Sequence, residues 1–189
     1  MRAPRGIPAG DLPVGDNVTR MRVVAGEARG KRLVAPAGTD TRPTADRVRE
    51  AMFNSLNSLG VIDDAKVLDL FAGTGALGIE ALSRGAAFAT FVERSRPAVE
   101  AVRTNLAGCR FEARSRVIPA DQANVHLAGY DLVLADPPYG FAGWDDIFER
   151  ATEAFVVAEA SVAVTPPDGW SIVRQVRYGK TWVTFAEPS

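Results

Sequence analysis

Along the chain, short, mostly apolar runs alternate with stretches whose apolar residues recur every three or four positions. Val67 to Leu70, Phe88 to Val92 and Leu132 to Ala135 have the length and density of buried strands. Between them, Ile79 and Leu82 ahead of Gly85, then Val99, Val102 and Leu106 within 95–107, are spaced as on helices. Val117 to Asp121 predicts a third strand that ends in an acid. Trp144 to about Phe155 reads as a helix with Ile147, Ala151 and Ala154 inward, followed by a strand near Ser161 to Val164 and a turn at Pro166 to Gly169. Trp170 to Arg177 and Thr181 to Ala186, joined through Tyr178, Gly179 and Lys180, read as an antiparallel hairpin. Strand and helix alternate, which predicts an α/β fold: a mostly parallel sheet of seven strands, helices on both faces, closed by an antiparallel strand.

Upstream the pattern changes. Residues 1–20 are rich in Gly, Pro and Asp without apolar periodicity and read as a disordered tail. Met21 to Ala25 and Lys31 to Val34 flank a glycine-bounded turn and predict a small β-hairpin. Thr44 is a candidate N-cap for a helix carrying Val48, Met52, Leu56 and Leu59, with Gly60 as its terminator. This helix is expected to tie the hairpin to the main domain. The expected division is therefore 1–20 tail, 21–60 basic hairpin and helix, and 61–189 main domain.

Charge sharpens that division. The whole chain carries a formal net charge of −1 over 189 residues, which argues against a general polyanion binder. Residues 1–50, however, hold ten Lys/Arg against six Asp/Glu, and the remainder twelve against seventeen. Arg20, Arg22, Arg29, Lys31 and Arg32 crowd into the hairpin, with Arg42 and Thr44 just beyond, as a candidate grip on a nucleic-acid backbone. A solvated edge hairpin kept soluble by charge is the plainer alternative. One cysteine, Cys109, excludes an internal disulfide and a cysteine zinc cluster, and the lone His126 cannot build a metal site by itself. No apolar run reaches membrane-spanning length and the first twenty residues lack a signal-peptide core, so a cytoplasmic protein with no membrane and no metal is expected.

The chemistry concentrates at strand ends. The run Leu132 to Ala135 stops at Asp136, Pro137, Pro138, Tyr139 and Gly140. The prolines lack backbone donors and have fixed φ, so a carboxylate, two carbonyls and a phenol ring are held at one strand end. Open α/β sheets bind their ligands at that end. An exocyclic base amine becomes nucleophilic only when acceptors hold both its hydrogens and turn the lone pair out of the ring plane. Asp136 and the Pro137 carbonyl are candidate acceptors, and Tyr139 is a candidate stacking partner for the base. The bland alternative is a strand-ending turn with Tyr139 filling a groove.

The first strand runs into Phe71, Ala72, Gly73, Thr74, Gly75 and, further on, Gly78, with Glu93 at the end of the second. This matches a dinucleotide fingerprint formally. Phe71 and Ala72 intervene before the first glycine, however, and Asp69 puts an acid beside the turn, where a pyrophosphate wants positive potential. S-adenosylmethionine suits such a place better, having no phosphate but an ammonium and a sulfonium. On that reading Gly73 and Gly75 let the backbone approach the methionine part, and Asp69 faces its amino group directly or through water. Glu93 accepts the ribose hydroxyls, Asp121 accepts from the adenine amine, and Phe71, Arg94 and Gln122 complete the candidate cofactor set. Four acids at successive strand ends, Asp69, Glu93, Asp121 and Asp136, favour function over caps or surface charge.

Assembled, these residues resemble the small-subunit ribosomal RNA guanine-N2 methyltransferase family. The resemblance covers Met21 to about Phe185 and rests on Met21 to Gly30, Arg42-Pro43-Thr44 with Asp46 to Ala51, Val67 to Gly78, Ala81 to Ala86, Asp136 to Gly140 and Arg177 to Gly179. It implies a Rossmann-like class I methyltransferase fold, S-adenosylmethionine as cofactor, and Asp136, Pro137, Pro138 and Tyr139 as the catalytic turn. The implied substrate is guanine 966 of 16S rRNA in an assembling small subunit, met by a monomer. Residues 1–20 have no counterpart, and 155–169 depart from the pattern, which bears on the fifth strand's boundaries. An adenine-N6 DNA methyltransferase would use the same turn but a larger target-recognition region. A nicotinamide- or nucleotide-binding protein would use only Gly73 to Gly78 and Glu93.

Overall fold

The computed structural model describes residues 21–35 and 43–189, of which 43–46 by backbone alone. The predicted tail, Arg20 included, and Arg42 therefore lie outside the described residues. The elements are α1 (Pro43–Leu59), β1 (Lys66–Leu70), α2 (Ala76–Ser83), β2 (Phe88–Val92), α3 (Arg96–Cys109), β3 (Ser115–Ile118), β4 (Leu132–Ala135), α4 (Trp144–Arg150), β5 (Phe155–Ala160), β6 (Trp170–Tyr178) and β7 (Thr181–Pro188).

Seven strands form one sheet in the order β3-β2-β1-β4-β5-β7-β6. The first five pair in parallel, and β7 runs antiparallel between β5 and β6. The central strands are near-continuous apolar runs because both sheet faces are covered. One core holds Val67, Phe91, Leu132, Leu134, Phe155 and Val157 with α1, α2 and α3. The other holds Leu68, Leu70, Val133, Ala135, Val156 and Ala158 with α4. Alternation along each strand thus assigns every polar strand residue to a face. Among the described residues no helix is long and apolar enough to cross a membrane.

Four local expectations are corrected. The fifth strand is Phe155–Ala160, not Ser161 to Val164, and α4 stops at Arg150. Ala151 and Ala154 are inward as expected, but from the turn between the two elements. A short run such as Phe155 to Ala158 fits a buried strand and a buried helix end equally well; its register beside β4, Ala135 opposite Ala158, makes it a strand. β3 ends at Ile118, so Asp121 stands three residues beyond the strand, capping a 3₁₀ turn through the Ala123 amide. α1 begins at Pro43, so Thr44 falls inside it, since a proline suits the first helical position.

The basic hairpin is a single antiparallel bridge, Arg22 to Arg32, rather than two strands. It is held less by α1 than by α2 and α3. Glu80, fully buried, accepts the amides of Val24 and Ala25 at 2.8 and 3.1 Å. Ser83 accepts the Ala28 amide through Oγ and the Glu27 amide through its carbonyl. Asn105 on α3 brackets Val34, accepting its amide and donating to its carbonyl. From α1, Arg49 adds a donation to the Arg22 carbonyl. Gly26 makes this close seat possible: a Cβ there would lie 1.7 Å from the Ser83 carbonyl oxygen. Met21, Val23, Ala28 and Leu33 complete the contact by entering the core.

Candidate active site and its relatives

The turn after β1 is shaped by the residues beneath it. Asp69 is a β1 residue on the α2 side, 1% exposed, and its Oδ2 accepts the Gly78 amide at 2.8 Å. Gly78 must be glycine here, because a Cβ would sit 2.4 Å from the Phe91 ring. Above them the chain turns through positive φ at Phe71, Gly73 and Gly75, and Phe71 is the position where that conformation is costly. It is held by amides of Phe71 and Ala72 donating to the Val92 carbonyl. Glu93 ties the turn to the second strand, accepting the Gly73 amide through Oε2 at 2.9 Å and the Ser95 amide through Oε1 at 2.7 Å.

A cleft of about 360 Å³ opens at the C-terminal edge of the sheet, lined by residues that include Phe71, Glu93, Arg94, Asp121, Gln122, Asp136 and Pro138. These come from the turns after β1, β2, β3 and β4, so four strand ends converge on one space. Val92, Ala120 and Phe141 join them without having been expected. Phe141 packs edge-on against Phe71 at 5.2 Å and against Trp144 at 5.3 Å, forming an apolar wall between the first and fourth turns. Arg94 donates to Asp121 at 3.2 Å, and Gln122 is braced by Arg150. Asp69, Gly73, Gly75, Pro137 and Tyr139 are not among the cleft-lining residues: Asp69 supports the turn from beneath, Gly73 and Gly75 form it, and Pro137 and Tyr139 follow Asp136 in the fourth turn.

Asp136 stands at the boundary. The residue is open to solvent from the cleft, yet the protein around its carboxyl withdraws water and raises its pKa to about 6. Asp69 is raised further, to about 7, by burial first and then by Asp136 and Glu93, against the Gly78 hydrogen bond. Among the described residues, nothing donates a hydrogen bond to the Asp136 carboxyl or the Pro137 carbonyl. Tyr139 projects outward, 84% exposed. The acid missed in the sequence is Glu159, on β5 one strand beyond Asp136; burial, then Asp136, raise its pKa to about 8, with Arg49 opposing. Its signal was the one used elsewhere, an acid after an apolar run, hidden because β5 was placed too late.

On the hairpin, Arg22, Arg29, Lys31 and Arg32 all face solvent while their neighbours Met21, Val23, Ala28 and Leu33 are buried. Met21 also meets the glycine turn, its sulfur accepting from the Thr74 hydroxyl, which places the hairpin's base beside the site.

The strand order and the parallel core, with a cleft across four strand ends, are those of the class I methyltransferase fold. Comparison with known proteins narrows this. Residues 21–187 match the model of the family described as conserved hypothetical protein 95, and the chain belongs to that family. Ribosomal RNA small subunit methyltransferase D of Escherichia coli (strain K12) is 37% identical over 170 residues, covering 82% of this chain and 84% of the relative. The rRNA methyltransferase candidate YlbH of Bacillus subtilis (strain 168) is 36% identical over 181 residues, covering 87% and 97%. A solved structure of the methyltransferase candidate yhhF from Escherichia coli is 35% identical with a TM-score of 0.78, covering 90% of this chain and 99% of that one.

Proposed function

We propose that this chain transfers a methyl group from S-adenosylmethionine to the exocyclic N2 amine of one guanine of 16S rRNA, guanine 966, in an assembling small subunit in the cytoplasm. The cleft fits that cofactor: Glu93, Asp121 and Asp136 offer carboxylates to hydroxyls, an amine and positive charge, while Phe71, Val92 and Phe141 offer apolar surface. A pyrophosphate would meet three acids there and a single arginine, itself turned to Asp121. When bound, S-adenosylmethionine supplies an electrophilic methyl group.

The observation that carries the reading is that, among the described residues, nothing donates to the Asp136 carboxyl at the cleft or to the neighbouring Pro137 carbonyl, beside an exposed Tyr139. A guanine taken out of its stack can lie on the Tyr139 ring, at an unstacking cost of a few kcal/mol. Asp136 and Pro137 then accept the two N2 hydrogens and turn the nitrogen lone pair out of the ring plane, toward the cleft. Alkylated nitrogen carries a positive charge and sheds a proton readily, and an Asp136 oxygen already holds that hydrogen. The pair of acceptors therefore acts by positioning, which can carry most of the rate. The exposed cations of residues 21–60 supply the phosphate contacts.

The test is transfer of labelled methyl from S-adenosylmethionine to small subunits lacking the modification, with nucleoside analysis. N2-methylguanosine at one site is the expected product; incorporation as another nucleoside, or only into duplex DNA, would overturn the reading.

A further inference from the structure

Glu159 has no place in the reading above, and its surroundings give it one. β4 and β5 pair in register, Ala135 opposite Ala158, so Asp136 and Glu159 are the next residues on adjacent parallel strands, about 4.8 Å apart along the hydrogen-bonding direction. They also share a face. Leu132 and Leu134 on β4, and Phe155 and Val157 on β5, enter the core on the α1 side, and Asp136 and Glu159 continue those two rows. Glu159 is not among the residues lining the cofactor cleft, which Asp136 borders. Asp136 thus stands between the cleft and Glu159, where a target base must present its amine.

Glu159 is half-buried, and no described residue donates a hydrogen bond to it or forms an ion pair with it. Arg49 lies near enough to favour its charge, but turns one nitrogen to the Arg22 carbonyl. Among the described residues, three acceptors at these two strand ends therefore have no donor: Asp136, the Pro137 carbonyl and Glu159. Guanine alone among the bases carries three hydrogens side by side on one edge, two on N2 and one on N1. Adenine and cytosine place a bare ring nitrogen beside their amines, which would face carboxyl lone pairs.

Resting on the guanine-N2 reading, we propose that Glu159 selects guanine by accepting the N1–H of the target base while Asp136 and Pro137 hold its amine. Either protonation state offers an oxygen to N1–H. The ionised carboxylate, which Arg49 favours against burial and Asp136, carries the selection, because its lone pairs face a bare N1 whereas a protonated acid would donate to that nitrogen. Adenine has no N1–H.

The test compares Glu159→Leu and Glu159→Gln on reconstituted small subunits carrying guanine, or 2-aminopurine, at the methylated position. 2-Aminopurine keeps the amine but has a bare N1. Glu159→Leu is expected to lose about 30-fold or more in kcat/KM on guanine, and Glu159→Gln, which retains an acceptor carbonyl, to recover most of it. The preference for guanine over 2-aminopurine should fall by about tenfold or more in the leucine variant. Cofactor affinity, measured by calorimetry, should stay unchanged in both. A leucine variant within about threefold of the parent, or one with undiminished guanine preference, would overturn the proposal. Equal losses in both variants would also overturn it, because charge beside Arg49 would then be what matters. Failure of the parent protein to make N2-methylguanosine would sink the underlying reading; N2-methylguanosine from the parent leaves the variants to decide Glu159 alone.

Discussion

The Gly78 amide donates to Asp69 Oδ2 at 2.8 Å, linking β1 to the first turn of α2 beneath the glycine turn through a carboxylate that is 1% exposed. Asp69 therefore shapes the cofactor turn from below. Burial raises its pKa to about 7 in the folded protein, so between roughly pH 4 and 7 the folded state binds a proton that the unfolded state has released. Stability from this group is present at low pH and is lost as pH rises through that window. Asn keeps an oxygen for Gly78 and cannot ionise. Asp69→Asn should gain on the parent protein as pH rises from 4 to 7, by on the order of 3 kcal/mol at the top. Urea unfolding at several pH values checks it; a constant difference would mean that Asp69 is not buried as an acid.

Glu80 and the hairpin give a second expectation. One buried carboxylate accepts from Val24, Ala25 and Arg84 Nε. Glu80→Ala leaves a buried guanidinium and two amides without that partner, at a cost of about 3 kcal/mol. Amide exchange at Val24 and Ala25 should accelerate more than exchange in β1 or β4. Uniform acceleration would show that the hairpin does not detach separately.

How much of this was legible beforehand depended on periodicity and chain punctuation. Val67 to Leu70 and Leu132 to Ala135 are apolar runs closed by glycine or proline, and both strands lie where expected. Phe155 to Ala158 has no such punctuation before it, so the run merged with α4 and Glu159 went unseen. The strand-end acids were visible as residues, but not their division of labour. Only packing shows that Asp69 is turned under the glycine turn while Glu93 and Asp121 border the cleft. Nor could spacing reveal that Glu80 and Ser83, ordinary residues of a helix, would hold a hairpin more than fifty positions away.

Asp136 sets the expected pH dependence of methyl transfer. Its carboxylate must accept from the base amine, and its pKa is raised to about 6. The rate should rise with pH up to that value, by about tenfold per unit at the acid end, and level off above pH 7. Asp136→Asn should be slower by about 100-fold and lose the acid limb. Asp136→Ala should abolish transfer with cofactor binding intact, and near-normal turnover in either variant would remove Asp136 from the reaction.

The hairpin cations are separable from catalysis. Arg29, Lys31 and Arg32 face solvent, so replacing all three with Gln should leave the fold intact. If each neutralises a phosphate, the slope of log affinity for rRNA against log salt should shrink by about 2 to 3. An unchanged slope would reduce the cluster to a solubilising surface.

Tyr139 offers the sharpest separation between folding and function. At 84% exposed it contributes almost nothing to the core, so Tyr139→Ala should shift unfolding by less than about 0.5 kcal/mol. A base stacked on the ring, however, would lose about 1–3 kcal/mol, or roughly 5- to 150-fold in kcat/KM. Phe supplies the same ring face, so Tyr139→Phe should retain the parent's rate. If both variants fail equally, the hydroxyl rather than the ring is what the site uses. If neither changes the rate, the exposure of Tyr139 is not an invitation to a base, and the target must be held from the Asp136 and Glu159 side alone.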